Sequence, residues 1–173
     1  MSLLERPFPQ ACAALLAAFA LSGCSIQPLY GPLSAGGDVA GELQAIAVDP
    51  IPNRLGHYLG NDLIFALNGT GSHVPPKYRL KVTVSESSQA PLLDTVTGYP
   101  TASNVVVSAD YQLLPVQGGA PITKGHVTAL ASYDRTSQRF ADIRAARDAE
   151  IRDAQTLADQ IRTLIASAIA AKG

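Results

Sequence analysis

The residues from Ser137 to Lys172 are the longest periodic stretch of the chain and constrain its fold more than any other segment. Phe140, Ile143, Arg147, Ile151, Ala154, Ala158, Ile161, Ile165 and Ala168 recur at spacings of three and four, the period of a helix that buries one stripe. Arg147 breaks the stripe once. Asp142, Arg144, Asp148, Glu150, Arg152 and Asp153 read as a mixed-charge outer face, on which Asp148 and Arg152, four apart, can pair. A helix this rich in alanine can pack closely against a sheet. Its apolar end, Leu164 to Ala171, is too short to span a membrane.

Three strand-like runs precede it and supply that sheet. Tyr78, Leu80, Val82 and Val84 alternate with Lys77, Arg79, Lys81 and Thr83, the pattern of a half-buried strand. Val105–Leu114 and Ile122–Tyr133 are the second and third, joined through Gln117-Gly118-Gly119, a hairpin signal. Between the first and second, Ser85–Ser103 holds Pro91, Gly98 and Pro100 and reads as a long excursion, either a hairpin end or a functional loop.

Upstream, Leu43–Val48 is short and β-compatible. Pro52 delays a helix until Asn53, read as an N-cap. Leu55, Leu59, Leu63 and Leu67 then recur every four residues, and Gly69 stands where a helix would stop. Gly56 and Gly60 weaken this helix by up to about 1 kcal/mol each relative to alanine, unless they allow a neighbouring strand to approach. The expected order is β-α-β-β-β-α: an α+β fold with two helices packed on one face of a four-stranded sheet. The other face or an edge is left for a partner.

The N-terminal part has a different character. Ala11–Leu21 is uncharged and apolar, and it ends at Leu21-Ser22-Gly23-Cys24. As a helix it would span about 16 Å, against roughly 30 Å of bilayer hydrocarbon. It reads as the apolar region of a signal peptide rather than an anchor. A small-residue site ending in cysteine is a bacterial lipoprotein processing signal. Residues 1–23 would be cleaved and Cys24 would carry the lipid; an ordinary signal peptide with a stray thiol is the alternative. Ser25 stands where aspartate favours inner-membrane retention in enteric-type sorting, so it points to the outer membrane. Residues 24–39, with Pro28, Gly31, Pro32, Gly36 and Gly37, read as a tether with a reach of roughly 20 Å. Residues 40–173 are then expected to form one α+β domain. Once Cys12 leaves with the signal peptide, the mature chain has no second thiol for a disulfide.

The composition narrows function mainly by exclusion. A formal net charge of −1 argues against nucleic acid as a partner. His57, His73 and His126 lack companions at ligand spacing, and no nucleophile elbow or phosphate-binding loop is present. No enzyme, metal or cofactor is expected. Lys77, Arg79 and Lys81 share one strand face. They are either a solvated face or a row of cations for lipid phosphates, with Lys124 on another strand as a further candidate.

Taken in order, several short motifs give the chain a resemblance to the LPS-assembly lipoprotein family, and to its alphaproteobacterial members in particular. These are the lipobox with Gln27-Pro28-Leu29-Tyr30-Gly31, Asn53-Arg54-Leu55-Gly56, and Ala109-Asp110-Tyr111-Gln112-Leu113 with Gly125 and Ser132-Tyr133-Asp134. The last runs from Phe140-Ala141 through Asp153-Ala154 to Leu157-Ala158-Asp159-Gln160-Ile161. The resemblance implies a lipid-anchored, periplasm-facing protein of the cell outer membrane. It would partner and plug the outer-membrane β-barrel that translocates lipopolysaccharide, help that barrel assemble, and assist lipopolysaccharide insertion into the outer leaflet. It also implies contact with lipopolysaccharide through basic residues, for which strand geometry nominates Lys77, Arg79, Lys81 and Lys124. The other reading is an auxiliary lipoprotein of a phospholipid-transport ABC system.

Overall fold

The computed structural model describes residues 38–69, 74–93 and 100–172. Their order is α1 (Val39–Gln44), β1 (Ile46–Val48), α2 (Asn53–Asn68), β2 (Tyr78–Leu93), β3 (Pro100–Pro115), β4 (Thr123–Asp134) and α3 (Arg139–Ala170). The expected α+β arrangement is present, with one short helix added at its start. That helix takes the end of the expected tether and the start of the expected first strand. Asp38 caps it by accepting from the Ala40 N–H at 3.1 Å, and Val39 and Leu43 are buried before extended backbone begins at Ile46. Cys24, the signal peptide and most of the tether lie outside the described residues, as does His73.

The sheet runs β1-β2-β3-β4, with β1 parallel to β2 and the other pairs antiparallel. The segment Ser85–Ser103 is not mainly a loop. β2 continues to Leu93 and β3 starts at Pro100, paired through Ser85↔Ser108, Ser87↔Val106 and Gln89↔Asn104. A polar strand shows no alternation to read, and here the valines of β3 lie opposite it. The register shifts between Gln89 and Leu92, the stretch holding Pro91, which cannot donate to the ladder. At the β3–β4 turn, Gly118 and Gly119 take φ of 86° and 125°, a backbone suited to glycine.

One sheet face carries the core. Leu80, Val82, Val107, Ala109, Leu113 and Val127 pack against Leu59 and Leu63 of α2 and Leu157, Ile161 and Ile165 of α3. Ala154 and Ala158 are buried in the same seam, the close packing that small side chains permit. The first turns of α3 depart from the expected stripe. Phe140 is 86% exposed, and Ile143 and Arg147 are also exposed; burial begins at Ala149. At that end the core face of the sheet mixes Ser88 and Ser103 with their cross-strand partners Val105 and Tyr133.

Helix α2 keeps its leucine stripe inward and stops at Gly69, which has φ of 56° and donates its N–H to the Phe65 carbonyl at 3.0 Å. Its start differs from expectation. The N-cap position falls on Pro52, which has no side-chain cap hydrogen bond, and Asn53 is the first helical residue; it sits at φ 74°, a conformation asparagine tolerates better than most residues. Gly56 does permit a close approach, but to Ile51 rather than to a strand. A Cβ there would lie 2.8 Å from the Ile51 carbonyl oxygen and 2.7 Å from its Cγ2. At Gly60 the nearest such contact is 3.9 Å.

Candidate lipid-facing sheet surface

The helices cover one face, no described element covers the other, and the strand register decides which of its side chains meet. Arg79 and Lys81 share that face on β2, with Lys77 immediately before the strand, as alternation requires. The register also places Lys124. Lys81 pairs with Gln112, and Gln112 with Lys124, so the two lysines flank one amide in a single row, about 10 Å apart across two strand spacings. The adjacent row runs Thr83, Asp110, His126. There His126 Nδ1 lies 2.9 Å from Asp110 Oδ1, and Thr128 Oγ1 lies 3.3 Å from His126 Nε2. His126 therefore has a carboxylate companion that sequence spacing could not show, since it comes from a neighbouring strand. Among the described residues no group of three metal-ligating side chains forms.

The four nominated cations divide into two kinds. Lys77 donates to Glu42 at 2.6 Å, and Tyr78 donates its hydroxyl to the same carboxylate at 2.9 Å. The lysine hydrogen bond holds Glu42 below its ordinary pKa and raises that of Lys77. Arg79 grips Asp49 through two nitrogens at 2.9–3.1 Å. Both cations thus tie β2 to the segments flanking β1. Lys81 and Lys124 are exposed and form no ion pair among the described residues. Their charge faces solvent.

Beneath the sheet lies a second charged group, whose burial runs against its polarity. Glu150 and Asp153, assigned to the outer face of the last helix, are both buried. Their spacing held the signal: 150, 153, 157 and 161 follow the same three-and-four period as the buried residues. Arg54 binds Glu150 from two nitrogens, Nε at 3.0 Å and Nη2 at 2.5 Å, joining α2 to α3. Next to it, Asn53, Arg54, Leu55, Val84 and Glu86 line a cleft of about 230 Å³. Burial raises the Glu86 pKa, Glu150 adds repulsion, and Arg54 opposes both. The expected Asp148–Arg152 pair does form, at 3.0 Å, and Arg152 also donates to the Ser132 carbonyl.

Asp153 is 1% exposed, and its Oδ2 has no hydrogen-bond partner. Burial pushes its carboxyl up to about 6, although the Ala131 backbone and Arg152 pull it down. Between the ordinary carboxylate value and 6, the folded chain holds a proton that the unfolded chain has released. Stability therefore falls as pH rises through that window and is level above it. Asp153→Asn should stabilise the fold at pH 7.5 by about 2 kcal/mol and give no gain at pH 4. Urea unfolding at the two pH values measures this; equal stability at pH 7.5 would contradict it.

A family model described as lipopolysaccharide-assembly, LptE, matches residues 43–165. A solved structure from Caulobacter crescentus, of a protein assigned as a lipoprotein, is 26% identical with a TM-score of 0.61, over 75% of this chain and 93% of that one. A minor lipoprotein from Acinetobacter baumannii is 17% identical with a TM-score of 0.52, over 70% of this chain and 90% of its own; that likeness is one of fold. No curated protein matches the chain in sequence. The chain belongs to the lipopolysaccharide-assembly family of lipoproteins, whose members are assembly proteins and not enzymes.

Proposed function

We propose that this protein partners the outer-membrane β-barrel lipopolysaccharide translocon. It plugs the barrel, assists its assembly, and helps insert lipopolysaccharide into the outer leaflet. The observation that carries the reading is the family match across residues 43–165. The shape and charge support it. A polar sheet face that no described element covers and a formal net charge of −1 let a water-filled lumen enclose the domain without burying much unpaired charge. Among the described residues no helix is long and apolar enough to cross a membrane. Cys24, the N-terminus once residues 1–23 are removed, is the attachment point; the tether follows it, and the domain begins at Asp38 and Val39, the cap and first residue of α1. Each methylene of the attached acyl chains contributes about 0.8 kcal/mol of membrane affinity.

On the open face, the row Lys81, Gln112, Lys124 is the proposed contact for lipopolysaccharide phosphates. Lys77 and Arg79 stand beside it, already engaged by carboxylates. Affinity purification of C-terminally tagged protein from gently solubilised membranes tests the partner. The expected result is one large outer-membrane β-barrel at stoichiometric yield. Recovery of ABC-transporter subunits would replace this reading with the phospholipid-transport one, and protein that purifies alone would contradict both.

A further inference from the structure

β4 ends the sheet, and no described element pairs with its outer side. The ladder shows which groups are left over. Arg135 donates to the Thr101 carbonyl, and Val116 to that of Lys77. These bonds put the odd-numbered residues of β3 and β4 in the shared ladder, while even-numbered β3 residues bond β2. The N–H and C=O groups of Lys124, His126, Thr128 and Leu130 therefore point outward. At Ser132 the edge is already occupied, since Arg152 donates to its carbonyl at 3.0 Å. A free edge of this length is unusual, because proteins commonly block such edges.

Alongside it runs a groove of about 390 Å³ between β4 and α3. It is lined by Leu130, Ala131, Arg152, Asp153, Gln155, Thr156 and Asp159. Its one cation, Arg152, is engaged by Asp148 and the Ser132 carbonyl. Asp153, whose buried Oδ2 has no hydrogen-bond partner, forms part of the groove wall, and the exposed Asp159 adds a second carboxylate. The edge offers main-chain donors and acceptors, and the groove beside it offers unneutralised negative charge. Leu130, 57% exposed, adds an apolar contact.

We propose that the Lys124–Leu130 edge of β4 binds an extended segment of a partner protein as a fifth strand. That segment carries Lys or Arg at alternate positions, which enter the groove toward Asp153 and Asp159. Main-chain bonds supply register and the alternating cations supply selectivity. This goes beyond the barrel-plug reading and does not depend on which protein supplies the strand.

The test uses the full chain in detergent at pH 7.5 and a fluorescent seven-residue peptide, acetyl-Thr-Val-Lys-Val-Arg-Val-Thr-amide. Saturable binding is expected, with slowed amide exchange at residues 124, 126, 128 and 130. A version with glutamate in place of lysine and arginine should bind about tenfold more weakly or worse. Thr128→Pro removes an outward N–H and leaves the β3–β4 ladder intact, so it should also weaken binding by about tenfold. Asp153→Asn should weaken binding severalfold while leaving the fold more stable, which separates lost affinity from lost structure. Absence of saturable binding, equal affinity for the acidic peptide, or protection elsewhere would overturn the proposal. So would a dimer in sedimentation that protects the same amides without peptide, since the occupant would then be a second copy of this chain.

Discussion

Replacing Arg54 with alanine should cost about 3 kcal/mol of folding stability, although half of the arginine side chain lies in solvent. The reason is its partner. The Glu150 side chain is 6% exposed, against 55% for Arg54, and it receives both guanidinium bonds. Without them a carboxylate remains buried beside Glu86, which it already repels. The loss is then mainly the cost of an uncompensated buried charge, not the worth of an exposed ion pair, which is typically below about 1 kcal/mol. Exposure of the arginine places the expected value at the low end of the range for buried pairs. Adding Glu150→Gln to Arg54→Ala should recover at least half of the loss, because the neutral amide no longer needs the cation. Urea unfolding of both variants measures this. A loss below about 0.5 kcal/mol for Arg54→Ala would show that Glu150 is solvated in a way its burial denies.

The second large effect separates sterics from helix propensity two residues further on. Propensity alone makes Gly→Ala favourable in a helix interior by up to about 1 kcal/mol. At Gly56 the new methyl would stand 2.7–2.9 Å from Ile51 Cγ2, O and C, and two of those three atoms are backbone that cannot swing aside. Gly56→Ala should therefore destabilise the fold by about 2 kcal/mol, the usual scale of overpacking. Gly60→Ala meets only Ile51 Cδ1 at 3.9 Å and should stabilise by about 0.5 kcal/mol or more. One substitution at two sites of one helix is thus expected to change sign. Equal and favourable shifts in melting temperature would mean that the Ile51 turn is free to move.

Each residue of Asn53-Arg54-Leu55-Gly56 has its own place in the fold. Asn53 takes a positive φ, Arg54 clamps α3, Leu55 enters the core, and Gly56 admits Ile51. The sequence shows that the four residues open a helix but not that each performs a separate task. Three of the tasks depend on partners brought in by the chain's folding. The leucines of α2 were legible because one residue type recurs every four positions. The polar half of the β2–β3 hairpin was not, because strand pairing against valines leaves no alternation in Ser85–Gln89. Glu150 and Asp153 defy the expected outer face for a related reason. A carboxylate is ordinarily read as solvent-facing, and here burial follows spacing instead of polarity. On the open face the sequence could put Lys77, Arg79 and Lys81 together, since alternation alone does so. It could not say that carboxylates hold two of them, nor that Lys124 completes a row with Lys81, because both facts depend on register and tertiary contacts.

The proposed division of the cations is open to a direct measurement. Purified full-length protein in detergent, titrated with fluorescent lipopolysaccharide, would be compared with Lys81→Glu/Lys124→Glu and with Lys77→Gln/Arg79→Gln. The first pair should lose about tenfold or more in affinity while unfolding at the same urea concentration as the parent. The second pair should lose stability, with affinity in the folded protein changed by less than about twofold. Undiminished binding after charge reversal at Lys81 and Lys124, or a greater loss on neutralising Lys77 and Arg79, would contradict the assignment of this row to lipopolysaccharide.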